Sequence, residues 1–125
     1  MRLVLLALAL SLAGPVAAAQ ATYRDFRSPS RKLGCAFYSD AETPPFVRCE
    51  WRGSNDQAVQ LAETGRARLR HVTDTVLNPK APVLRYGHRT TFRQLRCRSR
   101  RSGITCRSLR SGHGFTVSVQ KRELF

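Results

Sequence analysis

The strongest β-hairpin pattern in this sequence is LRCRSRRSGITCRSL, residues 95–109. Within it, residues 99–103 (SRRSG) are polar and end in glycine, the residue type that most easily takes the positive φ angle of a tight turn. We therefore predict that the chain reverses direction here, and that Ile104–Leu109 returns as the partner of the preceding strand. This geometry places Cys97 opposite Cys106.

The rest of the chain shows short segments of β-branched and aromatic residues separated by Gly, Pro, Ser and Asn, while helical periodicity is weak. In one segment, alternation predicts that Val47, Cys49 and Trp51 face the core. The sequence thus predicts one all-β domain, a small disulfide-containing sandwich or barrel of roughly seven to nine short strands. The segments are Tyr23–Arg27, Leu33–Tyr38, Phe46–Arg52, Ala58–Leu61, Ala67–Val72, Val83–Tyr86, Thr91–Ser99, Ile104–Leu109 and Phe115–Val119.

Residues 1–21 have the layout of a secretory signal peptide: a charged start, an apolar run from Leu3 to Leu12, and a stretch of small residues that ends at Ala21. We predict cleavage after Ala21, which leaves a secreted or periplasmic domain of residues 22–125. The alternative is an uncleaved membrane anchor. A Gly-Pro break at residues 14–15 interrupts the run before it reaches the roughly 20 apolar residues of a spanning helix.

The chain has four cysteines, an even number, and in an exported domain of this size two disulfides are the expected outcome. Three pairings are formally possible. We favour Cys35 with Cys49 and Cys97 with Cys106, because each pair flanks a predicted hairpin or short meander. A zinc site is disfavoured because no two cysteines have the C-x2–4-C spacing, and we predict no metal and no other cofactor.

Basic residues outnumber acidic residues by 22 to 8, which gives a net charge of +14. Such an imbalance predicts attraction to a polyanion such as nucleic acid, anionic lipid or an acidic envelope polymer. Arginine dominates and suits bidentate recognition of phosphate and carboxylate, although a GC-rich genome also produces Arg-rich chains without any partner. The candidate polyanion-binding residues surround the predicted hairpin: Arg93, Arg96, Arg98, Arg100, Arg101, Arg107 and Arg110.

Catalytic patterns are weak, since the chain has no G-x-S-x-G elbow and its histidines lie in arginine-rich contexts. We therefore expect a domain that is not an enzyme. One alternative is a ribonuclease, which needs a general acid, a general base and cations that bind phosphate. Another is an inhibitor or interaction module whose hairpin enters a partner's cleft. The ribonuclease candidates are His88, His113 and Glu50 or Glu123 for proton transfer, with Arg89, Arg93 and Arg107 for phosphate.

Three fragments together resemble an uncharacterised family of small secreted bacterial proteins built around a domain of unknown function: FRSPSRKLGCAFY (26–38), LRCRSRRSGITCRSL (95–109) and SGHGFTVS (111–118). The resemblance implies secretion and a cystine-containing, β-rich domain over nearly all of residues 22–125, and it implies no activity. It departs at Arg31-Lys32, where the family tends to have Gly-Asn, and at His71, where many members have a cysteine with a partner earlier in the chain.

Overall fold

The computed structural model describes residues 4, 9–12, 14 and 20–125, so most of the proposed signal segment lies outside the described residues. This described part forms ten β-strands and no helix, and hence no helix able to cross a membrane. In chain order the strands are β1 (Thr22–Arg27), β2 (Leu33–Ser39), β3 (Phe46–Trp51), β4 (Gln57–Ala62), β5 (Arg68–His71), β6 (Arg89–Phe92), β7 (Leu95–Arg100), β8 (Gly103–Ser108), β9 (Gly114–Val117) and β10 (Arg122–Leu124).

The strands form two antiparallel sheets of five strands each. The first sheet has the order β1-β2-β3-β4-β5 and the second sheet has the order β10-β9-β8-β7-β6, so each sheet is a meander in which neighbours in the chain are neighbours in space. The two inner faces share one hydrophobic core. The predicted fold class is confirmed: the domain is an all-β sandwich with two disulfides.

The described chain has more strands than we predicted, because β10 was not predicted and because the predicted strand Thr91–Ser99 is two strands. A two-residue turn at Arg93 and Gln94 separates β6 from β7, with Phe92 directly opposite Leu95. Arg93 takes a φ of 54°. The turn changes which residues point to the core: Phe92 and Leu95 both do. When residues 91–99 are interpreted as one strand, apolar and polar side chains therefore fall on both of its faces.

The core is centred on the two disulfides. Cys35–Cys49 joins β2 to β3 and Cys97–Cys106 joins β7 to β8, which are the pairs that the hairpin interpretation favours. In each pair the two cysteines stand directly opposite each other in the strand register. The Sγ atoms of Cys49 and Cys106 are 4.0 Å apart. The disulfides therefore contact each other across the sandwich and pack the middle of both sheets together.

Alternation along β3 follows the prediction. Val47 and Trp51 are buried on the same face as the disulfide. The chain reverses between β7 and β8 as predicted, but the turn is shorter than residues 99–103: only Arg101 and Ser102 separate the two strands. Gly103 has a φ of 136°, and a Cβ atom at this position would overlap the carbonyl oxygen of Val117 on β9. Glycine is therefore required here both for its backbone conformation and for the close approach of the neighbouring strand.

Residues 72–88 connect the sheets and cross the outer face of the first sheet. The apolar segment Val83–Tyr86 was expected as a strand, but it forms a single parallel bridge, between Val83 and Arg27. The backbone of Arg27 bonds to the crossover on either side of that bridge. Pro82 has no N–H group with which to extend the ladder, so the pairing stops there.

Glu50 anchors this crossover to β3. Its side chain lies on the outer face of the first sheet, yet Glu50 is only 3% exposed because the crossover covers it. The carboxylate accepts hydrogen bonds from the Val76 amide (2.6 Å) and the Thr75 hydroxyl (3.2 Å). Arg48, two residues earlier, donates to Asp74 at 3.0 Å. The crossover is thus held by buried polar contacts as well as by apolar packing.

Candidate functional site: an arginine face on the second sheet

The outer face of the second sheet carries mainly arginine and threonine. Along β7, Arg96, Arg98 and Arg100 alternate with three buried residues. On β8, Thr105 and Arg107 alternate with buried residues in the same way. Because successive side chains of a strand point to opposite faces of the sheet, all five project away from the core.

The register of the sheet places arginines directly opposite each other. Arg89 on β6 pairs with Arg98 on β7, and Arg96 on β7 pairs with Arg107 on β8. Directly opposed residues have Cβ atoms about 5 Å apart, and like charges at that separation destabilise a sheet. We call this surface the arginine face, and define it by Arg89, Arg96, Arg98, Arg100 and Arg107.

The arginine face has few partners among the described residues. Arg96 donates from Nε to the hydroxyl of Thr91 at 3.3 Å. The guanidinium of Arg107 lies 5.6 Å from the ring centroid of Phe125, at a cation–π distance. Most of the donor capacity of the five guanidinium groups therefore points to solvent, where a ligand with oxygen acceptors can bind it.

Within the described residues, no acidic side chain forms an ion pair with the arginine face. Glu123 on β10 lies opposite Thr116 on β9 and so shares the outer face at its far edge. Its carboxylate binds Lys121 Nζ at 2.6 Å, and this hydrogen bond raises the pKa of Lys121. The positive charge of the arginine face is accordingly not neutralised by these neighbours.

The structure brings four of the predicted polyanion-binding arginines together and separates three. The four on β7 and β8 lie on the arginine face. Arg93 and Arg110 lie in turns at one end of the second sheet, and Arg101 lies in the turn at the other end, with its guanidinium 5.2 Å from the ring centroid of Tyr86. Arg89, which we considered only for a ribonuclease, joins the face because β6 pairs with β7.

The residues of the ribonuclease alternative are dispersed. The backbone carbonyl of His88 accepts a hydrogen bond from the Ser99 amide, near the end of β7. The backbone carbonyl of His113 accepts one from the Ser108 amide, and Ser108 stands opposite Leu95, the first residue of β7. Four residues of strand separate these positions, or about 13 Å along the strand direction. Glu50 is buried on the first sheet, and Glu123 pairs with Lys121. This arrangement does not place an acid and a base around one phosphate.

A separate polar cluster follows β2. The Asp40 carboxylate accepts from the Tyr38 hydroxyl (2.7 Å), the Glu42 amide (2.9 Å) and the Thr43 amide (2.6 Å). The Tyr38 contact, with the turn amides, lowers the pKa of Asp40 to about 2, and the same contact raises the pKa of Tyr38. An Asx turn accounts for this cluster. In the part of the chain that the structure describes, no three His, Cys, Asp or Glu side chains group as a metal site.

A family model described as "Family of unknown function (DUF6636)" matches residues 48–125, more than half of the chain, and the chain belongs to this family. The matched region starts in β3 and includes the whole second sheet with the arginine face. Two of the three fragments that carry the resemblance lie inside it, and residues 26–38 lie before it. No curated protein and no solved structure matches the chain.

Proposed function

We propose that this member of the DUF6636 family is a non-enzymatic domain that binds an acidic surface or polymer through the arginine face. The observation that carries the proposal is the strand register, which places Arg89 directly opposite Arg98 and Arg96 directly opposite Arg107 on one open sheet face. Like charges in directly opposed positions cost folding stability in the free protein. A bound polyanion would convert that repulsion into attraction.

The geometry suits a repeating anion. Neighbouring strands lie about 4.8 Å apart, and residues on one face of a strand repeat about every 6.7 Å. The arginine face is therefore a regular grid of guanidinium groups, each able to bind phosphate or carboxylate with two parallel hydrogen bonds. Arginine in place of lysine also gives the geometric match to planar or tetrahedral oxyanions.

We further propose that the domain works outside the cytoplasm, after removal of residues 1–21. The two disulfides support this location, because such bonds persist in oxidising compartments. The layout of the first 21 residues supports it independently. Mass spectrometry of the protein purified from its native host tests the cleavage: the proposal predicts a mature chain that starts at Thr22.

The test of binding is a salt titration of the oxidised protein against RNA, DNA, anionic vesicles and purified cell envelope. With five arginines engaged, a duplex ligand should give a slope of log K against log salt of about −4.5, and RNA in the same tubes should remain intact. The double variant R96T/R98T should lower the magnitude of the slope by about two. Binding that is insensitive to salt, or absent for every ligand, would remove the proposal.

The matched control is R68T/R70T, which removes the same charge from two exposed arginines that lie two residues apart on β5, in the first sheet and outside the arginine face. If binding depended on net charge alone, both double variants would weaken it equally. The proposal predicts that the control variant retains most of the affinity, because its two arginines do not belong to the grid.

A further inference from the structure

A second basic surface lies on the first sheet, at one end of the sandwich. Here a cavity of about 440 Å³ opens between the turn that joins β1 to β2, the residue after β3, and the crossover. Four cationic residues line it: Arg27, Arg31, Lys32 and Arg52. We call this the basic cavity. Its volume falls in the range of small-molecule sites, and it shares no residue with the arginine face.

Among the residues that the structure describes, no acidic side chain lines the basic cavity. Of its four cationic side chains, Arg27 donates from Nε to the Ala81 carbonyl at 2.9 Å, and the other three make no side-chain hydrogen bond or ion pair with the described residues. The turn itself is ordered, since the Arg52 amide donates to the Lys32 carbonyl at 2.8 Å. Positive charges are thus held around one concavity without an internal counter-ion.

Arg31 supplies an independent observation. Its φ is 64°, in the left-handed region that glycine adopts without cost and a long side chain does not. Glycine at this turn would relieve the backbone, whereas the arginine contributes a guanidinium to the rim of the cavity. An unfavourable backbone conformation that delivers a charged side chain to a cavity points to a use for that side chain.

The floor of the basic cavity is apolar. Half-buried Leu77 lies over Gly34 of β2, and Pro79 lines the same cavity. The crossover approaches β2 so closely at Gly34 that a Cβ atom there would lie 3.0 Å from Leu77 Cδ2. Cations on the rim and aliphatic carbons on the floor match a ligand with an anionic group at one end and a hydrocarbon portion at the other.

We propose that the basic cavity binds a phosphate monoester with an alkyl portion, with the phosphate held by Arg31, Lys32 and Arg52 and the alkyl carbons on Leu77 and Pro79. Several cations around one site suit a dianion, and guanidinium groups match the tetrahedral phosphate with paired hydrogen bonds. The site is distinct from the arginine face, so its ligand binds independently of any polymer.

The test is calorimetric titration of the full chain with octyl phosphate below its micellar concentration and with inorganic phosphate, at matched ionic strength. Octyl phosphate should bind at least about tenfold more tightly than inorganic phosphate, because it also covers the apolar floor. R52A and R31G should each weaken it about tenfold, since each removes a charge-assisted contact. R110A, which removes the same charge from a loop outside the cavity, should change it less than about twofold.

R31G separates binding from folding. Glycine fits the left-handed conformation, so this variant should melt no lower than the parent protein while it loses the ligand. Equal weakening by R110A, equal affinity for inorganic phosphate, or no saturable binding would each overturn the proposal. None of these results depends on the arginine face, so failure here is distinguishable from failure of polymer binding.

A vesicle arm identifies the source of the phosphate. Vesicles of phosphatidylcholine with phosphatidic acid that retain the parent protein but release R52A indicate a lipid headgroup, and binding of dispersed octyl phosphate without such retention indicates a free phosphate ester. If the vesicles retain R52A as well as the parent protein but release R96T/R98T, the arginine face binds the vesicles. If the protein also fails to bind dispersed octyl phosphate, the basic cavity is not a phosphate site and the proposal is overturned.

Discussion

At the scale of single residues, two buried serines of the second sheet form a matched pair. Both are 0% exposed. Among the described residues, Ser99 Oγ has no hydrogen-bond partner, whereas Ser108 Oγ donates to the Glu63 carbonyl at 2.6 Å and accepts from the amides of Arg110 and Ser111. The two side chains are chemically identical, so the difference in stability between their alanine variants measures the hydrogen bonds.

We predict that S99A leaves the free energy of unfolding unchanged or raises it by about 1 kcal/mol, because it removes a buried hydroxyl without a partner. S108A should lower it by about 1 to 3 kcal/mol, because it leaves one acceptor and two donors unpaired. Urea unfolding of the oxidised protein measures both. Equal losses in the two variants would contradict this view of the second sheet.

The sequence assigned Ser99 to the polar turn, whereas the structure places it in β7, two residues after Cys97 and buried on the same face. Sequence alone could not assign the hydrogen bonds, because the partners of Ser108 come from a loop that is distant in sequence and from the turn after β8. The same limit applies to Arg89. Its place on the arginine face depends on strand register, which the turn at residues 93–94 sets.

At the scale of elements, the crossover over residues 72–88 depends on Glu50. E50A removes the acceptor of the buried Val76 amide and of Thr75, and it leaves the nearby Arg48 Nε without its closest carboxylate, 3.8 Å away. We predict a loss of about 3 kcal/mol in the free energy of unfolding, since breaking a buried charged network leaves its partners uncompensated. Hydrogen exchange at the Val76 amide should accelerate in the same variant.

The control for this prediction is E123A. Glu123 pairs with Lys121 on the surface, where its side chain is 54% exposed, and exposed ion pairs contribute about 0 to 1 kcal/mol. An E50A variant no less stable than E123A would show that the crossover is held by packing alone.

Alternation of apolar and polar residues predicted most strands. It was least informative where a turn lacks the residue types that usually form turns. Arg93 and Gln94 lack the Asn-Gly or Gly-X pattern of two-residue hairpin turns, so β6 and β7 read as one strand. In the crossover, the one segment predicted as a strand, Val83–Tyr86, forms only a single bridge. The position of the crossover over the first sheet follows from contacts such as Glu50 to Val76, which lie 26 residues apart in sequence.

At the scale of the whole molecule, the composition and the disulfide framework were predictable and the stacking of the sheets was not. An even cysteine count and hairpin spacing favoured the two pairs. The contact between the two disulfides requires both sheets to be in place. Likewise, the net charge of +14 is visible in the sequence, but its division between the arginine face and the basic cavity appears only in three dimensions.

We propose that the arginine face is kept for an anionic partner at a cost to folding, and the variant R98T tests both halves of this proposal most directly. Threonine suits a strand, and its introduction removes the repulsion between Arg98 and Arg89. At low salt we predict that the free energy of unfolding rises by about 0.5 kcal/mol. The slope of log K against log salt for polyanion binding should fall in magnitude by about one in the same protein. A variant that is less stable and binds as tightly as the parent would contradict the account.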